Sequence, residues 1–161
     1  MGTAMKSSFV LRVTTKAHFL IIAAIGVSLG ADSSLDPASK KDSDGLQGTW
    51  KLVSAMKDGE ALPKDKVKQT TIVIKDDTFL FPDLAESATS KEGTIKLDAT
   101  KNPKQMDATS TEKEVMLGIY ELDVDRYKVC FAPTGKPRPS EFASKQGSGN
   151  LLQHWKRKKE Q

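Results

Sequence analysis

The chain is 161 residues long, carries 25 basic and 21 acidic side chains for a net charge of +4, and contains one cysteine and two histidines. That length supplies one domain. The single cysteine, Cys130, excludes an intramolecular disulfide and a thiolate metal cluster, and one of the two histidines, His18, falls in an N-terminal leader.

The leader is residues 1–30. Lys6, Arg12 and Lys16 precede the apolar run FLIIAAIGVSLG (Phe19 to Gly30), no acid occurs before Asp32, and the run ends in the small-x-small pattern Ser28-Leu29-Gly30. The run is short for a membrane span. It reads as a secretory signal peptide cleaved near Gly30 or Ala31, with an uncleaved N-terminal anchor as the competing reading. Its removal leaves 22 bases against the 21 acids, so the mature charge is near +1 and the high pI is no argument for nucleic acid.

Residues 31–45 are polar and turn-rich and read as a flexible linker. The domain then runs over residues 46–158, with 159–161 as a tail. LQGTWKLVSAM (Leu46 to Met56) alternates as a half-buried strand. Asp58-Gly59 turns the chain, and LPKDKVK (Leu62 to Lys68) suits one short helical turn. TTIVIK (Thr70 to Lys75) is almost wholly β-branched, the strongest strand signal present. Thr78 to Phe81 follows and is stopped by Pro82. Further strands are predicted at TIKLD (Thr94 to Asp98), KQMDATS (Lys104 to Ser110), MLGIYEL (Met116 to Leu122), RYKVCFA (Arg126 to Ala132) and LLQHWKRK (Leu151 to Lys158). About eight strands with short turns and no long amphipathic helix predict an all-β fold, best closed as a small antiparallel barrel. Trp50 and Trp155, on the first and last strands, are expected to be buried. Beyond Trp155 no apolar residue occurs, and Lys156 to Gln161 is expected to be a dispensable, solvated tail.

Little in the pattern supports catalysis. His154 lies in the final strand without an obvious partner, and Asp76-Asp77 and Asp123-x-Asp125 sit in turns where they have structural work. Two acids in a tight hairpin do not supply the roughly six to eight oxygens of a calcium site. No catalytic residue, metal ligand or cofactor is assigned. No phosphate loop occurs, and no stripe of bases and aromatics suited to nucleic acid.

The unusual segment is KVCFAPTGKPRPSEF, Lys128 to Phe142. Its three prolines exclude a regular ladder, so it is expected to cross an end of the barrel. In one reading it is a rigid crossover with Arg138 and Glu141 paired on the surface. In the other, Lys136, Arg138 and Glu141 stand at a cavity mouth and meet the polar or anionic head of a ligand.

The segments LQGTWKLVSAMKDGEALP, LGIYELDVDRYKVCFAP, GKPRPSEFAS and SGNLLQHWKR together resemble a small domain family found mainly in planctomycetes and described as lipocalin-like. The resemblance covers roughly residues 46–158. It implies a secreted or envelope-associated β-barrel of uncertain function and brings no reaction with it. The chain departs from the family pattern at Val124 and Arg126-Tyr127, where a glycine-bearing turn is expected, and at His154, an apolar position. Two functions remain open. One is an exported barrel that binds a small apolar or amphipathic ligand. The other is a structural or protein-interaction domain of the cell envelope with a filled core. Either is periplasmic, envelope-associated or extracellular, with no nucleic-acid partner and no integral membrane segment once the leader is removed.

Overall fold

The computed structural model describes residues 36–85, 88 and 91–159. The segment read as a signal peptide lies outside the described residues. Nine strands occur among the described residues: β1 (Gly48–Lys57), β2 (Glu60–Ala61), β3 (Thr71–Lys75), β4 (Thr78–Leu80), β5 (Glu92–Asp98), β6 (Lys104–Ser110), β7 (Val115–Leu122), β8 (Arg126–Phe131) and β9 (Leu151–Arg157). β1 and β3 to β9 pair in chain order, each antiparallel to its neighbours, and β9 pairs back onto β1. The result is a closed, eight-stranded, lipocalin-like meander, with β2 a two-residue flap on β1. Closure leaves no long free edge, which is how a sheet of this length avoids pairing with other chains.

Alternation sets the inner face. Trp50, Leu52, Ile72, Ile74, Phe79, Leu97, Met106, Tyr120, Tyr127, Val129, Phe131 and Trp155 form one buried cluster. One irregularity shifts the period. The register of β1 against β9 slips between Leu52 and Ser54, so Ala55 rather than Ser54 turns inward and Val53 is left 58% exposed. Such a bulge adds one unpaired residue and bends its strand.

Among the described residues two helices accompany the barrel, α1 (Pro37–Leu46) and α2 (Lys64–Gln69). α2 matches the helical turn expected after Pro63. α1 departs from the linker that residues 31–45 suggest by composition. Its start is well specified: Pro37 stands in the first turn, and the Asp36 carboxylate accepts from the backbone N–H of Ala38 and Ser39 at 3.0 Å each. Its buried positions are Ser39, Asp42 and Leu46, spaced three and four apart on one face. Two of these three are polar, which hid the periodicity. They are accepted inside because each has a partner on the barrel. Ser39 Oγ accepts from Ala99 N–H at 2.8 Å, and Asp42 Oδ2 takes the Tyr120 hydroxyl at 2.8 Å and Lys104 Nζ at 2.7 Å. Leu46 supplies the apolar end of the face, and its carbonyl accepts from Trp50 Nε1 at 2.8 Å. α1 thereby floors the barrel.

Candidate functional site

Three places merit attention as sites: the barrel interior, the proline-rich segment and a groove on the outer wall. The interior is crossed by a chain of rings. Trp50 meets Tyr127 edge-on at 4.9 Å, Tyr127 stacks on Trp155 at 5.7 Å, Trp155 meets Phe81 at 6.1 Å, and Phe81 meets Phe79 at 5.7 Å. A space beside them, lined by residues including Ile95, Met106, Phe131 and Gln153, is about 50 Å³. Burial pushes the Tyr127 phenol well above its ordinary range. Trp155 Nε1 is buried with no hydrogen-bond partner among the described residues.

The proline-rich segment does not cross a barrel end. It lies against the outside of β6, β7 and β8. Cys130 points outward by alternation from Val129 and Phe131, yet it is fully buried, and its Sγ lies 3.4 Å from the Ala143 carbonyl oxygen. Lys128 Nζ sits 4.0 Å over the Phe142 ring. Outward-facing Ile119 is 1% exposed. The sequence pattern already held the reason: MLGIYEL and KVCFA carry apolar residues on both faces, so the outer face needs a cover.

Of the three residues singled out in this segment, Arg138 is the one fixed in place. Its Nη1 donates to the carbonyl oxygens of Gly118 at 2.6 Å and Met106 at 3.3 Å, and its Nη2 lies 2.6 Å from Asp107 Oδ1. The expected Arg138–Glu141 pair does not form. Glu141 pairs with Lys145 four residues on, where both side chains are mostly exposed. Lys136 is exposed and closes a turn through its N–H to the Pro133 carbonyl at 3.0 Å. None of the three lines the interior space.

The outer wall across β7, β8, β9 and β1 carries an open groove of about 650 Å³, lined among others by Val53, Glu121, Arg126, Lys128, His154 and Lys156. Lys128 Nζ pairs with Glu121 at 2.8 Å. His154 is exposed, as alternation against Trp155 requires. Partial burial, and then the Lys128 charge, holds its imidazole below the ordinary value, with Glu121 opposing.

Arg157 departs from the solvated tail that the C-terminal bases suggest. Its guanidinium donates to the carbonyl oxygens of Gln47 at 2.6 Å and Gly45 at 2.5 Å, and its Nε to that of Val124 at 3.0 Å. It also stacks over the Trp50 ring at 4.1 Å. A planar fork with five donors serves three carbonyls and a ring at once, which a lysine could not do. The run of four bases conceals it because only the strand register distinguishes Arg157, inside the barrel floor, from Lys156, outside.

Burial raises the Cys130 thiol above its ordinary value, which removes thiolate character and with it nucleophilic reactivity. Among the described residues no three histidine, cysteine, aspartate or glutamate side chains are grouped to hold a metal ion. No helix among them is long and apolar enough to cross a membrane. No protein-family model matches this chain, and neither does any curated protein or any solved structure.

Proposed function

We propose that this chain is an exported domain of the cell envelope whose barrel is packed solid and which works through its outer surface, as a structural or interaction module. One observation carries the reading. The interior space lined by Phe79, Phe81, Tyr127 and Phe131 holds about 50 Å³, whereas pockets for drug-sized ligands run from roughly 300 Å³ upward. Export rests on the basic, apolar and small-residue sequence of the leader. Membership of the planctomycete-type family rests on the quoted segments.

The carrier reading keeps one observation of its own. Trp155 Nε1 is a buried donor without a partner among the described residues, and a small polar molecule within the barrel would satisfy it.

Native mass spectrometry of the protein purified from its own host tests both. The packed-barrel reading expects the bare polypeptide mass, and no saturable fluorescence with N-phenyl-1-naphthylamine. A stoichiometric adduct removed by denaturation would overturn it in favour of a carrier.

A further inference from the structure

Strand register places three cations abreast on the outer wall. Lys51 on β1 stands directly opposite Lys156 on β9, and Lys156 stands directly opposite Arg126 on β8. Side chains so paired are about 4.5–5.5 Å apart at Cβ, and like charges in that position destabilise a sheet. All three are exposed, and none makes an ion pair or hydrogen bond with its side chain among the described residues. Of the acids nearby, Glu121 pairs with Lys128, Asp123 Oδ1 accepts from Val124 N–H, and the Asp125 carboxylate, on the adjoining hairpin, forms no ion pair with the row. An unneutralised row costs the fold stability and gives it nothing in return. Two exposed apolar side chains flank the row: Val53, extruded by the β1 bulge at 58% exposure, and Val124, at the β7–β8 hairpin, at 79%.

From this juxtaposition we infer that the outer wall formed by β8, β9 and β1 is a docking face for an anionic phospholipid surface. The inference deepens the surface-acting reading above and rests on it. Arg126 and Lys156 also line the outer-wall groove, and the row spreads its charges over three neighbouring strands, a spacing that suits several phosphates held side by side better than one small anion. A bilayer surface supplies the phosphates in a plane, and its headgroup layer accepts the two valine side chains. Interfacial binding scales with buried apolar area plus attraction to anionic lipid. Lys158 and Lys159 continue the positive charge past the end of β9.

The test uses the full chain, so that any contribution of the leader is the same in every sample. Its readout is the ratio of partitioning onto phosphatidylglycerol-containing vesicles to partitioning onto phosphatidylcholine vesicles. The expected result is a preference for the anionic vesicles that collapses at high salt. The triple variant Lys51→Gln, Arg126→Gln, Lys156→Gln should reduce the ratio by roughly fivefold per side chain, on the order of a hundredfold in all. Its melting temperature should stay level or rise, since a like-charge row has been removed. An unchanged ratio in the triple variant would overturn the inference, and so would a wild type that shows no anionic preference. Row-dependent binding to soluble polyglutamate without vesicle binding would overturn it in favour of an acidic protein partner. A variant that melts lower would show that the row is structural and would also count against it. A co-purifying interior ligand would sink the packed-barrel reading while the vesicle ratio is read separately, so the two failures are distinguishable.

Discussion

Asp42 and Tyr120 are 78 residues apart in the chain, yet the Tyr120 hydroxyl donates to Asp42 Oδ2 at 2.8 Å beneath the barrel. Burial, and then the Asp42 carboxylate, push the Tyr120 phenol far above its ordinary range, so it remains a donor at any working pH. This bond, with Lys104 on the same oxygen, makes α1 part of the fold. Tyr120→Phe should cost about 1–2 kcal/mol, because Lys104 still serves the carboxylate. Asp42→Ala should cost more, about 3 kcal/mol, since it strands a buried hydroxyl and a lysine together. Urea denaturation measures both. A Tyr120→Phe midpoint equal to wild type would show that the bond contributes nothing net.

Arg138 and Glu141 should behave oppositely although they are three residues apart. Arg138→Ala removes the hydrogen bonds to the Met106 and Gly118 carbonyls and leaves Asp107 Oδ1, which has no hydrogen-bond partner among the described residues, without its ion pair, and should cost about 2–4 kcal/mol. Amide exchange over residues 133–150 should quicken, because this guanidinium holds the segment to β6 and β7. Glu141→Ala removes an exposed pair with Lys145 and should change stability by at most about 0.5 kcal/mol. Equal losses for the two variants would contradict the geometry.

Arg157 separates charge from shape. Arg157→Lys keeps the charge but loses the fork over Gly45, Gln47 and Val124, and should cost about 1–3 kcal/mol. Its neighbour Lys156→Gln should cost nothing. Thermal melting of the two single variants checks this, and a Lys variant as stable as wild type would show that charge alone suffices.

His154 sets a small acid-side dependence. A base held below its unfolded value of about 6.5 takes up a proton more readily in the unfolded chain. Its contribution is therefore complete above pH 6.5 and declines as pH falls from there through the folded value. His154→Gln should flatten that part of the stability–pH curve and leave the region above pH 7 unchanged. A curve that steepens, or a change confined to alkaline pH, would reverse the sign of the argument.

What the sequence revealed was whatever depended on local pattern. TIVIK, TIKLD and RYKVCF announce themselves as strands by branching and alternation, and the two tryptophans mark the first and last of them. What it withheld depended on register. Ser39 and Asp42 look like linker residues until Ala99, Lys104 and Tyr120 stand opposite them. An isolated α1 with one large apolar residue would not hold together, so its helical state is a tertiary effect. The row of Lys51, Lys156 and Arg126 is likewise invisible to a linear reading, for its members are drawn from both ends of the domain. Arg138 and Glu141 differ only in what β6 and β7 offer the arginine.

The barrel closes by pairing its first strand with its last, and this fixes when closure can happen. During synthesis β1 has to wait for some hundred residues before its partner exists, and the final ladder forms only after Leu151–Arg157 has emerged. Until then β1 and β8 each present an unpaired edge to other nascent chains. Loop closure over so long a separation is also slow, which places this fold toward the leisurely end of small-domain kinetics. A chaperone that shields extended apolar strands would find its longest opportunity here, and a ribosome stalled before Leu151 would release a chain with two edges open to aggregation.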